Sequence, residues 1–431
     1  MGDPVIVARA VHSLSRSQID PDALKVLYRL HHNGHIAYLV GGSVRDLLLS
    51  RHPKDFDIGT SAHPYQVKRL FKNCWVIGRR FRLAHVRFGT KTIEVATFRR
   101  KITAEELAAA DEPPADQGDA PEDAGPSSHR SIHRENTFGT AEEDAFRRDF
   151  TINALFYDIG TLALIDYTGG LEDLRAGLVR SIGDPVERFH EDPVRMLRAV
   201  AMAARLGFTI DAPIDTAIAE GRREIAHSAP ARLVEEFYKL LRSGAAEQAF
   251  RMMAERKLLE PISGHLQKGA GDRLWRSLAA IDSYRRQHRD TPDSMTNAIL
   301  LGSLLVPLGM AGNPGRSPRA EIETDPRPSL GMLPLPRRDV ERFRQILGLQ
   351  RRLLDPRLSP RARLALMHRG PFREALAWLE IHGQAPEAVE HWRGFIEASS
   401  VVDGESEGSE APPTRRRRRR RRRRSFRPAT N

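Results

Sequence analysis

The sequence predicts an α+β protein in which a small mixed sheet comes first and a long all-helical part follows. Three observations support this prediction. Between residues 35 and 165, short segments of alternating apolar and polar residues are typical of half-buried strands. From residue 180 to about residue 396, apolar residues recur with the spacing of helix faces. Residues 107–135 interrupt the first pattern with prolines and acidic residues, a composition typical of a disordered insertion.

Length and charge narrow the class of protein. The chain has 431 residues, and one domain usually takes about 100–200, which suggests two or three domains. Lysine and arginine number 68 and the acidic residues 56, so the net charge is +12. Residues 415–424 are all arginine, and without these ten the basic residues number 58. The folded part is therefore nearly neutral, which excludes an evenly basic, histone-like protein.

The cysteine content and the apolar segments bear on where the protein is expected to be located in the cell. A single cysteine, Cys74, excludes a disulfide framework and a zinc site built from several cysteines. The first residues lack the hydrophobic core of a secretion signal. The longest apolar stretch, residues 298–312, is too short to span a bilayer. We therefore expect a cytoplasmic protein without a membrane span, and we expect a monomer.

The elements of the first part follow one another closely. Residues 35–40 predict a strand that leads into Gly41 and Gly42, and Ser43 is a suitable N-cap for a short helix over 44–49. Residues 54–58, 83–88 and 92–98 alternate and predict further strands. Residues 1–34 show no such pattern, and we expect an N-terminal extension there.

The second part shows helix faces separated by one break. Apolar residues fall on helix faces within 250–258, 343–354 and 372–379, and Gly383 is a suitable C-cap for the last of these. Residues 309–336 are rich in proline, glycine and arginine and indicate a linker. Residues 399–431 join an acidic stretch to the arginine run, which predicts a disordered tail.

Two aspartates near a Gly-Gly turn form the first chemical constellation. In a strand, Asp55 and Asp57 would present both carboxylates to one side, while Phe56 and Ile58 would enter a core. Paired carboxylates that leave room for phosphates suit Mg²⁺. Gly41 and Gly42 would let a triphosphate approach the backbone. An exposed acidic strand end is the simpler interpretation of the Asp-x-Asp pattern alone. No GxxxxGK[ST] segment occurs, which excludes a Walker-type NTPase.

Further acids and an amide could complete the same site. Glu94 alternates with its apolar neighbours and could add a carboxylate or accept a proton from an attacking hydroxyl. A solvated strand residue is an equally good interpretation. Asp149 could join the acidic cluster, and Asn153 could contact a ribose. Asp149 is also a good N-cap, so its interpretation stays open.

A separate group of charged residues lies at the start of a predicted helix. Asp192 precedes a proline, which is a strong helix-start signal. Arg195 and Arg198 are three residues apart and share a helix face, one turn beyond Asp192. A carboxylate and a guanidinium held one turn apart could accept from and donate to the edge of a base. An N-cap aspartate with a surface salt bridge is the simpler interpretation of these residues alone.

Together these motifs resemble those of the class II nucleotidyltransferase family, which includes bacterial poly(A) polymerases and CCA-adding tRNA nucleotidyltransferases. Residues 77–86 and 136–150 and the arginine-rich C-terminus favour the polymerase branch. Ala201 and Met202 depart from it, because that branch usually has a basic and an aromatic residue there. The motifs are, in chain order, Gly41-Gly42-x-Val44-Arg45-Asp46 with Asp55-x-Asp57, Arg147-Arg148-Asp149-x-x-x-Asn153-Ala154, Asp166-Tyr167-x-Gly169-Gly170-x-x-Asp173-Leu174, and Glu191-Asp192-x-x-Arg195-x-x-Arg198.

The resemblance implies an architecture and a set of roles. A nucleotidyltransferase head over residues 35–165 would precede a nucleotide-selecting neck over 166–245 and an RNA-binding body over 246–398. A two-metal Mg²⁺ site and ATP as substrate are implied. The implied roles are metal binding by Asp55 and Asp57, support of the acidic cluster by Asp149 and Glu94, nucleotide binding by Gly41, Gly42, Arg45, Asn153, Asp192, Arg195 and Arg198, and RNA binding by Arg79, Arg80 and Arg82.

The function that follows is the template-independent addition of AMP from ATP to RNA 3′ ends, which would feed RNA processing and decay. RNA-decay or RNA-chaperone proteins are the partners this function implies. One alternative is a CCA-adding tRNA nucleotidyltransferase, which would use CTP as well as ATP. A non-catalytic RNA-binding protein is the alternative from another class, and the intact Asp55, Asp57 and Asp149 speak against it.

Overall fold

The computed structural model describes residues 3–78, 82–101, 138–288, 295–310 and 330–406. The chain divides into two compact units, Met1–Arg344 and Gln345–Asn431. The first unit contains the sheet and most of the helices, and the second is helical in its described part. The predicted fold class, a mixed-sheet head followed by a helical remainder, is confirmed.

The head is built on an eight-stranded mixed sheet with the order β1-β8-β7-β2-β3-β6-β5-β4. Within this sheet, β3 and β6 pair in parallel, and all other neighbouring strands pair antiparallel. A short parallel pair, β9 with β10, lies apart from it. The strands are β1 Val5–Val7, β2 Ala37–Val40, β3 Asp57–Thr60, β4 Cys74–Ile77, β5 Leu83–Phe88, β6 Lys91–Thr97, β7 Leu155–Asp158, β8 Leu164–Asp166, β9 Leu178–Val179 and β10 Thr209–Ile210.

The helices accompany the sheet and then continue alone. The division between the two units falls within α14. The helices are α1 Pro21–His32, α2 Gly42–Leu48, α3 Pro64–Leu70, α4 Ala141–Arg147, α5 Gly170–Ala176, α6 Pro185–Glu191, α7 Val194–Leu206, α8 Ala212–Gly221, α9 Pro230–Leu241, α10 Ala246–Glu255, α11 Gly264–Lys268, α12 Asp272–Gln287, α13 Asn297–Leu305, α14 Arg337–Leu353, α15 Pro360–Met367, α16 Phe372–His382 and α17 Pro386–Ser406.

One face of the sheet is buried under α1 and α3. The Asp20 carboxylate caps α1 by accepting hydrogen bonds from the backbone N–H groups of the first turn. The inward side of α1 consists of buried apolar residues, among them Val26 and Leu30. They are matched from the sheet by fully buried residues such as Ile58 and Val86. This packing fixes which residues of β3 to β6 must face the other way.

A second apolar cluster covers the inner strands on the opposite face. It contains Val40 and Phe156 from the sheet, together with Phe98 and Ala145. Gly59 lies in β3 where a Cβ atom would come within 2.7 Å of the Phe98 ring. The glycine therefore lets β3 continue beneath this aromatic side chain. The packing also explains why the strand runs to Thr60, beyond the predicted end at residue 58.

Several predicted boundaries differ from the observed elements. Asp55 precedes β3, which begins at Asp57. Part of the expected N-terminal extension belongs to the sheet, because Val5–Val7 pairs with β8. The residues expected to be linker include a buried Leu330, and α17 continues past the expected start of the tail to Ser406. The insertion expected over 107–135 and the arginine run lie outside the described residues. In the part of the chain that is described, no helix is both long and apolar enough to cross a membrane.

Candidate active site

The turn between β2 and α2 depends on Gly41. Its φ of +70° lies in the left-handed region that side chains disfavour. A Cβ atom here would also lie 3.0 Å from Nη1 of Arg148. Ser43 closes the turn by donating its hydroxyl to the carbonyl of Val40 at 2.9 Å. The backbone of this turn is therefore held open beside a guanidinium group, as the predicted close approach of a phosphate requires.

Two carboxylates meet on neighbouring strands next to this turn. Strand β3 pairs with β6 so that Ile58 lies opposite Val95 and Gly59 opposite Ala96. One residue earlier in this parallel register, Asp57 lies beside Glu94. Residues directly opposed on two strands point to the same face of a sheet, so both carboxylates face the same solvent-open side. The opposite alternation buries Ile58 and Val95.

The acidic group is electrostatically unfavourable as it stands. Surrounding protein atoms first, and then the negative charges of Glu94 and Asp55, raise the pKa of Asp57 to about 6. The positive charge of Arg148 acts in the opposite direction and does not cancel the effect. Arg148 is itself engaged by Asp144 at 2.9 Å. The structure thus places Asp55 and Glu94 close enough to affect the charge of Asp57. The sequence analysis left open whether Glu94 joins this cluster, and the catalytic roles of these residues stay predictions.

Asp149 has a different set of neighbours from the one expected. Its buried carboxylate accepts from the Asn153 side chain at 3.2 Å and pairs with Nη2 of Arg198 at 2.6 Å. Asn153 in turn accepts from Nη1 of Arg45 at 2.5 Å. These contacts form a polar chain from α2 to α7. We expected Asp149 to join the acidic cluster; its observed partner Arg198 instead ties it to the start of the helical part, and a catalytic role for it stays a prediction.

Arg45 is almost fully buried, although it was predicted to face a triphosphate. Its Nε and Nη2 atoms donate to Oδ1 of Asp46 at 2.8 and 2.7 Å. Arg205, from α7, also donates to the Asp46 carboxylate at 3.2 Å. In this arrangement Arg45 holds the side chain of Asn153 and links the head to α7. Gly42 lies beside the same guanidinium group, because a Cβ atom at this position would be 3.4 Å from Nη2 of Arg45.

The residues predicted to contact the base lie around the start of α7. Asp192 precedes this helix and accepts from the backbone N–H of Val194. Both of its oxygens also accept from Arg232 of α9, at 3.1 and 2.8 Å. Arg195 donates to Glu191 and to the carbonyl of Arg188, each at 2.8 Å. The predicted pair Asp192 and Arg195 therefore shares one region, but each member has its own partner.

Glu191 is the centre of a satisfied ion network. It accepts from Arg188 at 2.7 Å and from Lys101 at 3.0 Å, in addition to Arg195. Burial favours its neutral form, but the hydrogen bonds from Arg195 and Lys101 and the charge of Arg188 outweigh burial and lower the pKa of Glu191 to about 2. Arg188 also donates to the backbone carbonyls of Arg147 and Arg148. This network orients the guanidinium of Arg195.

With this geometry in view, three family models match the chain in order. They are the poly A polymerase head domain over residues 37–180, the probable RNA and SrmB-binding site of polymerase A over 207–267, and the polymerase A arginine-rich C-terminus over 329–425. The first model contains Gly41, Asp57, Glu94 and Asp149. Residues 37–180, 207–267 and 329–425 are thus similar to three successive parts of poly A polymerases. The resemblance predicted from the motifs is confirmed.

The similar proteins carry names of two activities. The chain is 46% identical over 257 residues to a protein of Escherichia coli O6:H1 named Poly(A) polymerase I, with 60% of this chain and 53% of the relative covered. A Poly(A) polymerase I of Haemophilus influenzae is 41% identical over 263 residues, with 60% and 55% covered. A CCA-adding enzyme of Lactobacillus helveticus is 35% identical over 240 residues, with 56% and 54% covered. The chain thus spans about half the length of the curated relatives it matches.

A solved class II structure extends the likeness over most of the chain. The CCA-adding enzyme of Bacillus stearothermophilus in complex with CTP superposes with a TM-score of 0.61 at 26% identity, and the match covers 92% of this chain and 90% of that one. This likeness supports the order of a sheet-containing head and a helical remainder.

Some expected site residues lie elsewhere, and others were missed. Arg79 and Arg80 lie outside the described residues, and Arg82 packs over the ring of Tyr65 at 5.7 Å. Arg232 was missed because nothing in its spacing from Asp192 indicates that α9 packs there. Glu191 belongs to a motif of the class II nucleotidyltransferases, but its role as the hub of three cations is visible only in the structure.

Proposed function

We propose that this chain is a template-independent RNA nucleotidyltransferase that adds AMP from ATP to RNA 3′ ends. The observation that carries the proposal is the pair Asp57 and Glu94, which the sheet register places side by side next to the Gly41 turn. Two carboxylates on one open face, with the charge of Asp55 nearby and the pKa of Asp57 raised to about 6, form a site that favours the arrival of positive charge.

The donor set fits Mg²⁺, which binds oxygen ligands and keeps several positions for water and substrate phosphates. Among the described residues, no group of three or more His, Cys, Asp or Glu side chains is arranged to hold a metal ion by itself. One or two protein carboxylates are enough for Mg²⁺ when phosphates supply the other ligands. Asp55 and Asp57 would hold the ions, and Glu94 would add negative charge beside them. When bound, Mg²⁺ would neutralise phosphate charge during transfer.

The remaining residues would position the two substrates. The open turn at Gly41 gives the triphosphate access to backbone N–H groups, with the Arg148 guanidinium close by. The RNA 3′ hydroxyl would attack the α-phosphate of ATP in line, and the bond between the α-phosphorus and the bridging oxygen of the β-phosphate would break, so that pyrophosphate leaves. The proton of the hydroxyl would pass to a neighbouring carboxylate or to water. Much of the rate would come from this positioning, as in other phosphoryl transfers.

The choice of nucleotide would lie with Asp192 and Arg195. Arg232 holds both oxygens of Asp192, and Glu191 holds Arg195, so both side chains are oriented before a base arrives. Acceptor and donor groups fixed in this way can discriminate between base edges by hydrogen bonding. Arg198 is engaged by Asp149 and would act through the same polar chain.

RNA would be bound by the helical part and the tail. The match of residues 207–267 to a probable RNA and SrmB-binding site supports RNA contact there. The arginine run at 415–424 would add a sequence-independent, salt-sensitive attraction to phosphates. Partners among RNA-decay or RNA-chaperone proteins and the monomeric state stay predictions.

A CCA-adding tRNA nucleotidyltransferase is the second candidate. The observation that favours it is the likeness to the CTP-bound enzyme of Bacillus stearothermophilus over 92% of this chain. The two candidates share the acidic site and differ in the nucleotides and the RNA that they accept. The higher identity to proteins named Poly(A) polymerase I favours ATP as the substrate.

A primer-extension assay on the full chain separates these functions. RNA with a free 3′ end, or tRNA that lacks its CCA end, is incubated with Mg²⁺ and ATP, CTP or both. We expect long products with ATP alone, and we expect none from the double variant Asp55→Ala/Asp57→Ala. Addition that stops after three nucleotides on tRNA and requires both triphosphates would identify a CCA-adding enzyme. RNA binding without incorporation of any triphosphate would identify a non-catalytic binding protein.

A further inference from the structure

A row of side chains crosses the open face of the sheet from the acidic site to the edge strand. Trp75 of β4 lies opposite His85 of β5, and His85 lies opposite Glu94 of β6. The register of β6 with β3 then places Asp57 next in line. Directly opposed residues share a face of the sheet, so these four side chains form one continuous row, which we call the open row.

The open row ends in an apolar surface that is exposed on the described part of the head. The Trp75 side chain is 54% exposed, and Ile77, two residues further along β4 on the same face, is 52% exposed. Leu83 lies opposite Ile77 and extends the apolar surface into β5. The residues of β4 and β5 that point the other way, including Cys74 and Val86, are buried beneath the helices. Trp75 therefore does not serve the core of the head.

The length of the open row matches a short piece of nucleic acid. Three spacings of about 4.8 Å separate β4 from β3, so Trp75 lies about 14 Å along the sheet from Asp57. A stacked strand advances about 3.4 Å per nucleotide, so the open row is about four nucleotides long. An RNA whose 3′ hydroxyl reacts at Asp57 could therefore place one of its last four bases at Trp75.

We propose that Trp75 is a base-stacking residue for the RNA primer, with the open row as the path of the last nucleotides to the acidic site. This inference rests on the proposed function, because that function fixes the 3′ end at Asp57. An exposed indole offers a flat surface on which any base can stack, as is common in proteins that bind single strands without reading their sequence. His85, held 3.7 Å from the Glu94 carboxylate, lies between the two ends and presents a second ring to the strand.

The test compares RNA binding and extension by the full chain with those of two variants at Trp75. Trp75→Ala is expected to raise the Kd for single-stranded oligoadenylate roughly tenfold, which is the loss of one base stack. Trp75→Phe keeps an aromatic ring and is expected to keep most of the affinity. Ile6→Ala is the matched control. Ile6 is also an exposed apolar residue, and it belongs to β1, the strand at the opposite edge of the sheet. Binding is measured by fluorescence anisotropy without ATP.

A length series locates the contact. With oligoadenylates of two to eight nucleotides, the affinity of the unaltered protein should rise with length until the chain reaches Trp75, within about four nucleotides of the 3′ end. In Trp75→Ala that rise should be missing, while the KM for ATP and the kcat at saturating RNA stay unchanged. Unchanged RNA affinity in Trp75→Ala, or an equal loss in Ile6→Ala, would overturn the inference.

The outcomes separate this inference from the proposed function. If the unaltered protein extends RNA and Trp75→Ala binds RNA as tightly, the proposed function stands and the role of Trp75 is wrong. If no triphosphate is incorporated, the proposed function fails, and with it the assignment of the bound strand as a primer. If Trp75→Ala instead lowers kcat at saturating RNA, the indole is a structural support of the acidic site and the stacking role is overturned.

Discussion

Asp57 in the head and Glu191 before α7 are acidic side chains whose pKa values are shifted in opposite directions by their surroundings. The pKa of Asp57 is raised to about 6, because protein atoms surround it and because Glu94 and Asp55 add negative charge. The pKa of Glu191 is lowered to about 2, because hydrogen bonds from Arg195 and Lys101 outweigh its burial. Among the described residues, the positive charge near Asp57 does not offset these effects, whereas Glu191 accepts hydrogen bonds from three cationic side chains.

The difference teaches where the chemistry lies. A satisfied network such as that of Glu191 keeps its side chains in place, and it resists change when a ligand arrives. A cluster of like charges costs free energy in the folded protein and persists where something outside the chain completes it. Under the proposed function, we therefore expect the head to bind the cations and phosphates and the helical part to hold the oriented groups that select a base.

The largest expected effect concerns the rate of extension. Asp57→Asn removes a carboxylate that would hold Mg²⁺, and we expect the rate of AMP addition to fall on the order of a thousandfold. Glu191→Gln should keep more of the rate, with a higher KM for ATP, because its loss frees Arg195 without touching the acidic site. Extension of a labelled RNA under saturating and limiting ATP measures both quantities.

The matched control for this comparison is Asp22→Asn, which removes an acid on α1 that pairs with Lys25 on the helix surface. It should extend RNA at the rate of the unaltered protein. Each variant is first checked by circular dichroism for a native helix content. Equal losses of rate in Asp57→Asn and Glu191→Gln would break the division between chemistry in the head and selection in the helical part.

A smaller effect is expected from Mg²⁺ alone on thermal stability. An ion that binds the folded chain and not the unfolded one raises the free energy of unfolding, by about 1.4 kcal/mol at tenfold excess over its Kd. We expect millimolar Mg²⁺ to raise the melting temperature of the unaltered protein by about 2–4 °C. Asp55→Asn/Asp57→Asn should melt at the same temperature with and without Mg²⁺, as measured by scanning calorimetry. A shift of equal size in that double variant would place the Mg²⁺ site elsewhere.

The sequence predicted the acidic site better than its partners, for a physical reason. Alternation along one strand indicates which way Asp57 and Glu94 point, since side-chain direction has a fixed period of two. Their adjacency depends on the parallel register of β3 with β6, which no local pattern records. The resemblance to a family supplied that pairing in advance. Strand β1 was missed because a three-residue strand, Val5–Val7, is too short to show a period.

The partners of the base-selecting residues could not be predicted from local patterns. Arg232 reaches Asp192 from α9, and Arg198 reaches Asp149 across the junction between the head and α7. Both contacts arise from the packing of elements that are distant in the sequence. Helix periodicity predicts that α7 and α9 exist, but the angle at which they pack is set by the core between them. Tertiary structure therefore decided the charge pairing at this site.

The smallest expected effect is a pair of stability profiles with opposite pH dependence. The folded-state pKa of Glu191 is lower than usual, so its ionised form stabilises the fold above its usual pKa, and this stability is lost as the pH falls towards 2. Because the side chain is 44% exposed and screened by solvent, we expect Glu191→Gln to lower the free energy of unfolding by about 1 kcal/mol at pH 7. That difference should shrink as the pH falls below about 4.

Asp57 should show the reverse, because its folded-state pKa is higher than usual. Its charge opposes folding at pH values above 6, and this cost disappears below its ordinary value of 3.8. In buffer without Mg²⁺, Asp57→Asn should therefore be slightly more stable than the unaltered protein at pH 7 and equal to it near pH 3.5. Urea unfolding at several pH values measures both profiles. Two profiles of the same sign would show that the head and helical acids are held alike, and the contrast between an incomplete and a satisfied site would fail.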